Sequence, residues 1–155
     1  MNEAQLIETW EINNRINLYL LDAIAEENLA DALVSKGRNA GEQLAHIHNV
    51  RLMWLKAAQP ELLEGQEKIE KDAELSKKLL QKALTDSGAA ITKLLESSIA
   101  NGGKVKGFKP HVAAFVGYLT AHDAHHRSQA IIALKQSGHK LDQKILYGIW
   151  EWGSR

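Results

Sequence analysis

Only two prolines, Pro60 and Pro110, interrupt 155 residues, and the stretches around them are rich in Ala, Leu, Glu, Lys and Gln. Proline breaks a helix because it lacks an N–H and clashes with the preceding turn, whereas those five residue types are strong helix formers. Runs of alternating β-branched residues, the mark of strands, are absent. The chain is therefore expected to be all-α.

The periodicity predicts four long helices. The first runs over residues 2–33, with Leu6, Trp10, Leu20, Leu21 and Ile24 at helical spacing and Asn13, Asn14 and Asn17 interrupting the stripe. Residues 35–39 read as a turn. Asn39 is placed to cap a second helix over residues 40–58, with Glu42 as its capping-box partner. The third helix is expected over 67–100, with a weak point at Ser87-Gly88 and a stop at Asn101-Gly102-Gly103. The fourth is expected to start at Pro110 and end at Ser137, before Gly138. The tail, residues 141–155, carries Ile145, Tyr147, Ile149, Trp150 and Trp152, too apolar to float free. The expectation is a four-helix bundle with a short docked C-terminal segment, forming a single domain over residues 1–155.

Charge narrows the function classes. Lys plus Arg and Asp plus Glu are 19 each, so the chain lacks the positive field that non-specific nucleic-acid binding needs. Cysteine is absent, which excludes disulfides and thiolate metal sites. The N-terminus has early acids and no basic region before an apolar run, unlike a secretory signal. No run of about 18 apolar residues occurs, so no membrane-spanning helix is expected. A cytoplasmic protein is the resulting expectation.

Seven histidines are the sharpest feature, and three of them fall in His122-Asp123-Ala124-His125-His126. His122 and His126 lie four apart, about 40° around a helix axis, and Phe115, Leu119, Ala130 and Ala133 continue their stripe inward. Buried imidazoles need partners. Either they are hydrogen-bonded core histidines, or they ligate a metal. A third histidine favours ligation, because catalytic zinc typically takes three protein ligands and keeps one position open. The second helix offers His46 and His48, which flank the stripe of Leu44, Ile47, Val50 and Trp54 on opposite sides. Spacing does not choose between them.

Residues 39–47, followed some 75 residues later by His122-Asp123-Ala124-His125-His126-Arg127-Ser128-Gln129, resemble the DinB family of the DinB/YfiT-like metal-binding four-helix bundles. That family places one histidine on helix two after a short apolar pair and H-x-x-x-H on helix four. The resemblance implies His46, His122 and His126 as metal ligands, with His125 as the non-ligand neighbour. It also implies a homodimer.

Three neutral imidazoles leave a metal its full charge and suit zinc, nickel, copper or iron; zinc is the default and nickel the second choice. The wider superfamily implies a metal-dependent enzyme acting on a small molecule, either a transferase using a low-molecular-weight thiol or a hydrolase. The competing expectation is a non-catalytic metal-binding stress-response or structural protein. Arg51, close to the apolar stripe, could hold a substrate's acid group, but a structural pair with an acid of helix one or four is favoured. The loop of Lys104, Lys106 and Lys109 reads as solvated surface.

Overall fold

The computed structural model describes residues 2–155 and is predominantly helical, with no β-strand among the described residues. Four long helices, α1 (Glu3–Ala23), α2 (Ala40–Ala58), α3 (Lys77–Ala100) and α4 (Val112–Gln136), are followed by a short α5 (Gln143–Gly148). α1 and α2 each pack against both α3 and α4, so α1 lies diagonally across the bundle from α2.

α2 has the expected bounds, and its capping box forms: Asn39 Oδ1 accepts from Glu42 N–H while Glu42 Oε2 accepts from Asn39 N–H, both at 2.8 Å. α1 stops ten residues earlier than expected. Its last turn has no basic residue and is followed by Glu26 and Glu27, an unfavourable charge at the negative end of a helix dipole. The chain instead turns through a 3-10 segment, Glu26–Ala30, which lets Ile24 and Leu29 both enter the core. α3 starts later than expected. Residues 66–75 run across α2, where the Asn49 amide donates to Ile69 C=O at 2.8 Å and accepts from Ile69 N–H at 3.0 Å. Ser76 then caps α3 by accepting from Leu79 N–H. α4 begins at Val112, with the His111 ring as cap, rather than at Pro110.

The core has two apolar halves. One gathers Trp10, Leu55, Leu94 and Phe115; the other gathers Leu20, Leu44, Ile47, Leu80 and Ala130. A buried polar layer contributed by all four long helices lies within the bundle: Asn13 and Asn17 of α1, Arg51 of α2, Ser87 of α3, and Asp123 and Arg127 of α4. α3 passes Ser87-Gly88 without a break, because glycine is what the packing there requires. A Cβ on Gly88 would sit 2.2 Å from Asn14 Nδ2, and Trp10 Nε1 donates to Gly88 C=O at 3.1 Å. The tail docks as expected through Leu141 and Ile149, with the Arg155 guanidinium 3.8 Å from the Tyr19 ring centroid. Tyr147 and Trp150 stay exposed. No described helix is long and apolar enough to cross a membrane.

Candidate metal centre

His122 and His126 stand one turn apart on α4, and His46 faces them from α2. One ring nitrogen from each lies within 4.8 Å of the others. Ring centroids are 4.4 Å apart for His46 and His126, 4.5 Å for His122 and His126, and 5.3 Å for His46 and His122. Nitrogens sharing one tetrahedral zinc at about 2.0–2.1 Å stand roughly 3.3 Å from each other. Small side-chain rotations close that difference, so the donor set fits a single ion. Among the described residues no carboxylate joins the three. Asp22 of α1 and Glu26 and Glu27 of the 3-10 segment do not enter the cluster; Glu26 accepts from Lys77 N–H instead.

Two of the rings are oriented from behind. His126 Nδ1 donates to Gln43 Oε1 at 2.7 Å, which leaves its Nε2 lone pair uncommitted. His122 Nδ1 points at Asp123 Oδ1, 3.5 Å away. Such outer partners set the tautomer and ring angle of metal-binding histidines. Replacing Gln43 by leucine keeps the volume and removes the acceptor, so divalent-metal affinity is expected to fall about 10–100-fold. Competition against a chelating dye measures this, and an unchanged affinity would remove Gln43 from the centre.

The cluster's electrostatics favour neutral imidazoles. Burial, then the charges of Arg38 and His122, lower the His46 pKa to about 4. Burial, then the charges of His122, His46, His125 and Arg38, lower that of His126 to about 3. Neutral imidazole is the form that ligates.

Asp123 ties the cluster to the buried layer. Its Oδ2 accepts from Arg51 Nη2 at 2.8 Å and from the amides of Asn13 and Asn17 at 2.9 Å each. Burial alone would raise its pKa. The Arg51 charge, with hydrogen bonds from His122, Arg51 and Asn17, reverses this and holds it at about 2. Arg127 reaches the same carboxylate indirectly, donating to Asn13 Oδ1 at 2.9 Å and Asn17 Oδ1 at 2.6 Å. Burial, against the favourable Asp123 charge, lowers its pKa to about 10.

The structure thus separates the residues singled out in the sequence. His46 joins the cluster. His48 turns toward α3, its ring nitrogens 3.0 Å from Ala83 C=O and 2.9 Å from Glu67 C=O. His125 is exposed, its ring edge-on to His126. Arg51 is 0% exposed and paired with Asp123 of α4, the structural pair favoured over a substrate anchor. Gln43 and the Asn13–Asn17–Asp123–Arg127 network carried no functional reading in the sequence. The signal was present in α1, where asparagines four apart sit on an otherwise apolar face.

His46 also lines a cleft of about 810 Å³. Its walls come from the turn before α2, from α2 itself and from the crossing segment, residues 68–75. On the α4 side, Tyr118 stacks 6.4 Å from the His122 ring and continues into Trp54, Phe108 and Phe115. Compared with known families, residues 1–150 match the model of the DinB family. No curated protein matches the chain.

Proposed function

We propose, from the premise that this chain belongs to the DinB family, that His46, His122 and His126 hold one divalent transition metal in a metal-dependent enzyme. The observation that carries this reading is the position of His46, which belongs to the cluster and also lines the cleft. Zinc, or nickel as the second choice, would supply Lewis acidity there, drawing the pKa of a bound water from about 15.7 to about 7 or favouring the thiolate of a thiol.

The remaining work falls to the chain's own side chains. Gln43 and Asp123 face two rings at Nδ1, which leaves Nε2 of each free to ligate. Three neutral donors leave the ion's charge uncompensated by protein. The Tyr118 ring stacks beside His122 and joins the aromatic cluster of Trp54, Phe108 and Phe115, giving the centre an apolar neighbour. The chain has no cysteine, so any reacting thiol is a second molecule brought in through the cleft. Transfer of a low-molecular-weight thiol is the leading reaction and hydrolysis the second, because both follow from the family resemblance.

Cobalt substitution tests the open site. The visible spectrum of the cobalt protein is expected to change when 2-mercaptoethanol or azide is added, since a fourth position must accept a ligand. A spectrum indifferent to both, in protein that melts when chelated, would replace the enzyme with a structural metal.

A further inference from the structure

We propose that the cleft beside His46 binds a small carboxylate-bearing molecule, its acid group held by Arg38 and Lys71 and its other end directed at the three histidines; this rests on the metal-site reading above. The ionisable groups lining the cleft are Arg38, Lys68 and Lys71 against Glu42 and Glu70, three cations to two anions. Both anions already have partners. Glu42 Oε2 accepts from Asn39 N–H in the capping box, and Glu70 pairs with Lys68 at 2.9 Å. Arg38 and Lys71 make no ion pair or side-chain hydrogen bond among the described residues. Glu42 keeps its charge, since its partner is a neutral N–H, so Arg38 and Lys71 remain unpaired in walls that carry one excess positive charge.

Neutral recognition groups are scarce in the same walls. Asn49 uses its amide N–H and its oxygen on the Ile69 peptide. Ala45, Ile69 and Leu75 are apolar and suit a short aliphatic body. Arg38 is well placed to be the anchor. It follows a tight turn in which Lys36 and Gly37 take φ of 67° and 107°, and the bridge between Ala32 and Asn39 closes that turn. It lines the same cleft as His46. A guanidinium offers paired N–H groups that match the two oxygens of a carboxylate. The excess of one positive charge in the walls matches a monoanion.

The test compares two thiols on the cobalt-loaded protein, 3-mercaptopropionate and its uncharged counterpart 2-mercaptoethanol, followed by cobalt–thiolate absorption rather than turnover. The acid is expected to bind about tenfold tighter, the scale of one hydrogen-bonded charge pair. Arg38→Gln is expected to reduce that preference to about twofold or less, while cobalt stoichiometry and 2-mercaptoethanol affinity stay unchanged. Lys71→Gln is expected to reduce it in part. Both residues are exposed, so the substitutions leave the core alone. Equal affinity for the two thiols, or a preference that survives both substitutions, would overturn the proposal and leave the open metal site standing. If neither thiol moves the spectrum, the open-site reading fails. Calorimetry of butyrate binding to the metal-free protein then decides the carboxylate site: Arg38-dependent binding sustains it, and no binding ends it.

Discussion

Alanine at His46, His122 or His126 is expected to abolish stoichiometric metal binding, while alanine at His48 or His125 leaves it intact. The difference follows from where the rings point. The first three bring one nitrogen each within 4.8 Å of the others, whereas His48 is held between Ala83 C=O and Glu67 C=O and His125 faces solvent. Two imidazoles cannot replace three without another donor, and no described carboxylate is in place to supply one. Metal analysis of untagged protein after dialysis measures the effect, with circular dichroism to show that each variant folds. Retention of metal by His46→Ala together with its loss in His48→Ala would move the centre to the other side of α2.

Asp123→Ala is expected to cost about 3–5 kcal/mol of stability, as for removal of one member of a buried ion pair. Both side chains of the Arg51–Asp123 pair are 0% exposed, and Asn13 and Asn17 each donate one amide N–H to the same carboxylate. Without it, two guanidinium groups remain buried with no anion. Arg51→Met combined with Asp123→Leu is expected to recover most of the loss, because an apolar pair carries no desolvation penalty. Urea unfolding of the metal-free variants decides the matter; a loss below about 1 kcal/mol for Asp123→Ala would remove the ion pair from the stability of the core.

The same groups set how stability follows pH. His46 and His126 have folded pKa values of about 4 and about 3, below the ordinary 6.5. The unfolded chain therefore binds more protons than the folded one in that interval. Their contribution is full above about 6.5 and is lost as pH falls toward their folded values. Asp123 acts lower down: its folded pKa of about 2 lies below the usual 3.8, so its contribution is present above 3.8 and lost as pH falls through about 2. The thermal midpoint of the metal-free protein is expected to fall in those two intervals. A midpoint flat from neutrality to pH about 4 would show that the two imidazoles are not held neutral by the fold.

Local chemistry determined much of this molecule. Helix-forming composition with only two prolines specified an all-helical chain, and the Asn39–Glu42 box set the start of α2, because capping needs only residues three apart. The spacing of His122 and His126 put both on one face of α4, since a helix returns to nearly the same side every four residues. Distant contacts decided the rest. α1 ends at Ala23 so that Ile24 and Leu29 can enter the core, and residues 66–75 stay non-helical where Asn49 grips the Ile69 peptide. The asparagines of α1 interrupted an apolar stripe until α4 brought Asp123 and Arg127 against them. His46 and His48 flank one stripe at similar angles, and α2 alone holds nothing that separates them. Packing of α2 between α3 and α4 does: one side gives His48 the backbone carbonyls of Ala83 in α3 and Glu67 before it, and the side facing α4 gives His46 two more imidazoles. A residue's role at that point depends on which neighbour its helix face meets, and that is a property of the assembled bundle.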